Sequence, residues 1–246
     1  MIEPFALPLL VADVMSAFRT SNLISGKLIV LVLFAASVVA WTVMVSKFRE
    51  LLLARSSSRR FQTAFRREGH PLTIFLRGQE YPNSPLYQVY AAGCRALGTE
   101  LGGEGGRARD LLAAGGAERP RLSLVQLEVL RRVTERTVAD QALLLENRMG
   151  FLMTAVSASP LLGLLGTVWG VLDAFGAMAA QGSAHLSAVA PGISGALLTT
   201  VVGLLVAIPS AIGYNLLAGR IREIAVQMDN FSQEFVAELQ RSFTQD

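Results

Sequence analysis

AFGAMAAQGSAHLSAVAPGISGALLTTVVGLLVAIPSAIGYNLLAG, residues 174–219, holds no Asp, Glu, Lys or Arg in 46 consecutive positions. Charged residues make up 17% of the 246-residue chain, so a gap of that length has a chance probability of about 10⁻⁴. Two more gaps run from Lys27 to Lys47 and from Arg148 to Asp173. Soluble domains carry about 25% charged residues, and apolar types here reach 52%. The charge deficit and its clustering give an integral membrane protein, not one or two soluble domains.

Leu28–Ser46, LIVLVLFAASVVAWTVMVS, is 19 uncharged residues between two lysines, close to the roughly 20 that cross about 30 Å of hydrocarbon as a helix. Trp41 falls toward its later end, where indole favours the interface. A second span covers residues 149–173. The third is placed at 191–217, because Gln181, Gly182, Ser183 and His185 read as a loop. The alternating ten-residue segments of a β-barrel are absent. The expected fold is all-α, with three membrane helices.

Orientation follows from the basic residues. Residues 47–67 carry seven basic side chains and one acid directly after the first span, and basic residues beside spans stay cytoplasmic. This predicts an external segment 1–26, a first span 27–46, a cytoplasmic helical domain 47–148, a second span 149–173, an external loop 174–190, a third span 191–217 and a cytoplasmic C-terminal helix 218–246. The basic run also suits contact with anionic lipid. No basic segment leads into an A-x-A site, so no cleaved signal peptide is expected.

In the cytoplasmic part, residues 47–67 read as an amphipathic continuation of the first span, with Phe48, Leu51, Leu52, Ala54, Phe61 and Phe65 as its apolar positions. Residues 98–117 are glycine-rich and read as a flexible connection. They are no phosphate cradle, since no strand precedes them and no GK[ST] follows. Pro120 is expected to open a long helix running into the second span, its stripe being Val125, Leu130, Val133, Val138, Ala142 and Leu145. In the tail, Ile221, Ile224, Met228, Phe231, Phe235 and Leu239 share one helical face.

The last two spans have an unusual composition. Ala155, Ser159, Gly163, Gly166, Gly170 and Ala174 recur at three- and four-residue steps, as do Gly192, Ala196, Thr199, Gly203, Ala207 and Ser210. Such stripes let helix backbones approach closely. Hydroxyls adjoin them: Thr154, Ser157 and Thr167 on the second span, Ser194, Thr199 and Thr200 on the third. Thr167 and Thr200 lie at similar depth on antiparallel spans. Two roles stand open for these hydroxyls: bonding their own i−4 carbonyls, or forming a polar patch toward a cavity or a partner. Pro160 and Pro209 each free a carbonyl and are candidate kinks. No ionisable residue lies in a span core, so a proton path would need a titrating group from another polypeptide.

One cysteine and two distant histidines, His70 and His185, make no metal-ligand spacing, and no His, Cys or carboxylate constellation of catalytic type is present. Neither enzyme activity, metal nor cofactor is expected.

SPLLGLLGTVWGVLDAF (159–175) and VAPGISGALLTTVVGLLVAIPSAIGYN (189–215) resemble the two signature spans of the MotA/TolQ/ExbB proton-channel family. Ser37, Ala40, Trp41 and the tail DNFSQEFVAELQR (229–241) look most like its TolQ branch, with the ExbB branch next; residues 68–120 are poorly covered. The resemblance implies a pentameric ring around a pore lined by the second and third spans. It also implies two TolR/ExbD-like single-span partners, each with a transmembrane aspartate, and a TolA/TonB-like protein further along. On this resemblance Thr167 and Thr200 match the pore threonines. GISGALL stands where the family commonly has GIAEALL, so Gly195 replaces a glutamate. The implied role is an inner-membrane stator driven by the proton-motive force, in the Tol-Pal system. ExbB-like energising of TonB-dependent uptake, a gliding-motility stator and a non-conducting scaffold are the alternatives.

Overall fold

The computed structural model describes residues 24–100, 122–181 and 186–244. These form six helices and no strand: α1 (Ile24–Arg67), α2 (Thr73–Leu76), α3 (Pro85–Glu100), α4 (Leu124–Glu146), α5 (Met149–Gln181) and α6 (Leu186–Thr244). Three stretches are long and apolar enough to cross a membrane: Gly26–Arg67, Met149–Ala180 and Val189–Phe243. The chain is an all-α integral membrane protein.

By its contacts the chain divides into two units. One comprises residues up to Val45 with Arg148–Leu216, the other Ser46–Asn147 with Leu217–Asp246. In the first, small residues lie inside and large apolar ones outside. Ala155, Ser159, Gly163, Gly166, Gly170 and Ala174 of α5 are all buried, as are Ala196, Thr199, Gly203, Ala207 and Ser210 of α6, while Gly192 is half-buried. Phe34, Leu161, Leu172, Ile208 and Ile212 are exposed. That distribution suits a helix group bathed in lipid, where close backbone contact replaces the hydrophobic effect as the cohesive force. Ile29 and Leu33 of α1 close the group, packing with Val206, Leu162 and Val202.

The second unit has an aromatic core. Phe61 is fully buried among the rings of Phe65, Tyr81, Tyr87, Tyr90 and Phe231, at centroid distances of 5.3–6.1 Å. All six apolar positions of the tail stripe, Ile221 through Leu239, are buried. The salt bridges Arg55–Glu223 and Arg66–Glu234 both join residues 168 apart, so these stretches of α1 and α6 run parallel at constant register. Lys47, which ends the first charge gap, is buried and paired with Glu50 at 3.0 Å. Ser84 caps α3, its hydroxyl accepting from Tyr87 N–H at 3.1 Å with Pro85 at the first helical position. Ser123 and Gln126 form a reciprocal capping box on α4.

Several expectations need correction. The helix before the second span does not run into it: α4 ends at Glu146, and Arg148 takes a left-handed conformation (φ 69°) before α5 begins. Its start is Leu124, because the Ser123 hydroxyl caps it by accepting from Gln126 N–H; Pro120 lies outside the described residues. Val125 is exposed, and Leu127 and Thr134 share the buried face with Leu130 and Leu145 instead. Phe48 and Leu52 of α1 stay exposed. Gly98, Thr99 and Glu100 belong to α3 rather than to a glycine-rich connection, whose remainder lies outside the described residues. The stretch 174–190 is helical at both ends, since α5 continues to Gln181 and α6 starts at Leu186. Uncharged, alanine-rich sequence gives the helix no reason to stop at Asp173. Gly182, Ser183 and His185 lie outside the described residues.

Cys94, on α3, is fully buried, and burial pushes its thiol well above the ordinary value of 9.0. Burial likewise raises the Tyr90 phenol, whose oxygen accepts from Phe75 N–H at 3.0 Å. Both groups hold in the folded state a proton that the unfolded chain releases in alkali. Their contribution is therefore fully present below pH about 9 and is lost as pH rises further. The thermal midpoint of the full chain in detergent is expected to fall between pH 9 and 11, less steeply in Cys94→Ala. A flat profile in the parent chain would exclude this coupling.

Candidate functional site

Glycines at 163, 166 and 170 bring α5 onto α6 at backbone distance. A Cβ on Gly163 would stand 2.8 Å from the Thr199 carbonyl oxygen and 2.9 Å from Thr200 Cα. One on Gly170 would stand 2.6 Å from Ala196 Cβ, and one on Gly203 3.2 Å from Gly163 Cα. Gly166 faces the Thr199 side chain. Contacts such as Gly163–Gly203 and Gly170–Ala196 keep a near-constant residue sum, the mark of antiparallel helices. They bring three hydroxyls to one level.

Thr167 and Thr200 are hydrogen-bonded to each other through their hydroxyls, both half-buried. The Gly163 carbonyl is within range of three hydroxyl donors: Thr199 at 2.9 Å, Thr200 at 3.1 Å and Thr167 at 3.2 Å. The Ala196 carbonyl is within range of Thr199 at 2.7 Å and Thr167 at 3.3 Å. The two roles left open for the span hydroxyls divide by residue. Thr154 and Ser157 donate to carbonyls of their own helix, Gly150 and Met153. Thr167, Thr199 and Thr200 reach across to the neighbouring helix.

The candidate positions Thr167, Thr199, Thr200, Ser194 and Gly195 do not all converge. Thr199 is almost wholly buried between α5 and α6 rather than on the accessible side with Thr167 and Thr200. Ser194 is exposed on α6, six residues before Thr200, or about 9 Å along the axis, and does not join the cluster. Gly195 is half-buried one residue further on. Pro160 lies inside α5, and Pro191 and Pro209 inside α6. Two functional groups escape sequence reading altogether, the Gly163 and Ala196 carbonyls. Every residue has a carbonyl, and only the helix approach singles these out.

Chemically, the cluster is a compact set of neutral donors and acceptors on the uncharged stretches of α5 and α6. It can hydrogen-bond a carboxylic acid, a water or a hydronium ion, but it has no group of its own that titrates near neutral pH.

Residues 108–230 match the MotA/TolQ/ExbB proton channel family. The Tol-Pal system protein TolQ of Haemophilus influenzae is 31% identical over 222 residues, 87% of this chain and 89% of that one. TolQ of Pseudomonas aeruginosa is 32% identical over 218 residues, 87% of each chain. The biopolymer transport protein ExbB of Pseudomonas putida is 30% identical over 214 residues, 85% of this chain and 58% of that one. With the family match covering α5 and α6 as far as residue 230 and relatives aligned along most of its length, the chain belongs to the MotA/TolQ/ExbB proton channel family.

Proposed function

We propose that the chain is the TolQ-type stator subunit of an inner-membrane motor driven by the proton-motive force. Five copies surround the single spans of two TolR-like partners, with the N-terminus periplasmic and the C-terminus cytoplasmic. The carrying observation is the Thr167–Thr200 hydroxyl pair on two spans that contain no carboxylate near it. Such a pair can receive a proton-carrying acid but cannot supply one, so the titrating aspartate belongs to the partner. Protonation neutralises that aspartate, whose charge is costly in hydrocarbon. Each elementary charge crossing releases about 2.3 kcal/mol per 100 mV, which alternating protonation of two partner helices converts into stepping around the ring. The motion passes to the cell envelope through the partner's external part and a TolA-like protein. TolQ relatives aligned along most of both chains support the Tol-Pal system. ExbB similarity supports energising of TonB-dependent uptake as the second reading.

The test is proton flux into proteoliposomes holding the full chain and a TolR-type partner. Thr167→Val with Thr200→Val is expected to lower flux at least about tenfold, a loss of about 1.4 kcal/mol or more of stabilisation along the path. Undiminished flux in the double variant would leave the chain a scaffold.

A further inference from the structure

Thr199 is the hydroxyl nearest both carbonyls of the cluster, yet it is buried away from the accessible pair. Hydrogen-bond arithmetic shows what it does there. Each carbonyl oxygen has two lone pairs. In an α-helix the Gly163 carbonyl accepts from Thr167 N–H and the Ala196 carbonyl from Thr200 N–H, both i→i−4. One acceptor position remains on each. Three hydroxyl protons, those of Thr167, Thr199 and Thr200, face these two positions.

Thr199 occupies one of them in either of its arrangements, at 2.7 Å to Ala196 or 2.9 Å to Gly163. The pair is left a single carbonyl between them, so one hydroxyl donates to it and the other donates to its neighbour. When Thr199 takes Gly163, only Thr167 reaches Ala196, and the order is Thr200 to Thr167 to Ala196. When Thr199 takes Ala196, either member donates to Gly163 and the other to its neighbour. Without the Thr199 hydroxyl, Thr200 donates to Gly163 and Thr167 to Ala196, and no bond between the pair is needed.

We infer that Thr199 is a positioning residue. By occupying one of two shared carbonyls it forces Thr167 and Thr200 to bond each other, so that they act as one unit with its remaining lone pairs available to a protonated acid. The use of that unit in proton transfer rests on the proposed function; the coupling itself does not.

Double-mutant cycles on the full chain separate the two. The unfolding equilibrium in mixed micelles is measured for the parent, Thr167→Val, Thr200→Val and the double variant, then repeated in Thr199→Val and Thr199→Ser backgrounds. Valine keeps the shape of threonine, and serine keeps its hydroxyl. Non-additivity of about fivefold in the unfolding constant is expected for the parent, the size of one hydrogen bond. It is expected to persist with Thr199→Ser and vanish with Thr199→Val. Flux with a TolR-type partner is expected to fall about fivefold in Thr199→Val and to be restored in Thr199→Ser. Additive effects in the parent, or coupling that survives Thr199→Val, would overturn the inference. So would flux kept by valine and lost by serine, which would make Thr199 a packing residue. A normal cycle beside flux indifferent to the Thr167 and Thr200 substitutions would uphold the coupling and reject the motor reading instead.

Discussion

Phe61→Ala is expected to destabilise the Ser46–Asn147 and Leu217–Asp246 unit by about 3–5 kcal/mol, the cost of emptying a phenyl-sized site in a packed core. Phe61 has no exposed surface, and five other aromatic rings surround it, drawn from α1, α3, α6 and the segment before α3. Four of those rings belong to elements other than α1, each held by its own packing, so no single neighbour can move in to close the cavity. The chain carries its own reporter in Cys94, the sole cysteine and fully buried in the same unit. Alkylation of Cys94 requires opening, so under conditions where reclosing is fast its rate tracks the opening equilibrium. Phe61→Ala is expected to accelerate alkylation of the full chain in micelles by about 100- to 4,000-fold, since every 1.4 kcal/mol is about tenfold. An acceleration below about fivefold would mean that the aromatic cluster does not hold this unit together.

Gly163→Ala is expected to cost about 1–3 kcal/mol, the range for overpacking a tight interior. The added methyl would stand 2.8 Å from the Thr199 carbonyl oxygen and 2.9 Å from Thr200 Cα. Both are backbone atoms of α6, which cannot rotate aside as a side chain could. The helices must separate, and separation also lengthens the Thr199 and Thr200 hydroxyl contacts to the Gly163 carbonyl. Loss of stability in mixed micelles and loss of proton flux are therefore expected together. Gly176→Ala on the same helix is the control, because nothing lies within 4 Å of a Cβ there; it is expected to be neutral or slightly stabilising, by up to about 1 kcal/mol. Equal effects at the two positions would refute close approach at Gly163.

Much of the fold was legible because membranes simplify the code. Charge gaps, small-residue stripes and the tail's heptad-like apolar face each depend on spacing within one helix, and spacing is what a sequence displays. The helix boundaries were less legible. Nothing in residues 120–150 announces that Arg148 turns left-handed, between the end of α4 at Glu146 and the start of α5 at Met149. Val125 looked apolar enough to be core, yet Leu127 and Thr134 occupy that face. The choice depends on which neighbour the helix meets, here α3, against whose Gly93 the Thr134 methyl lies.

The candidate site divides in the same way. By itself the sequence determined that the spans carry hydroxyls and small residues but no titrating group in their cores, which follows from residue types alone. It also determined that Thr167 and Thr200 belong at one depth, which follows from antiparallel helices of fixed rise. Only the tertiary structure decided that Thr199, next to Thr200 in the chain, stands within reach of the Gly163 and Ala196 carbonyls and donates to one of them. A hydroxyl's partner is chosen by atoms within about 3 Å. On α5 and α6 those atoms come from residues some thirty positions apart, which only packing brings together.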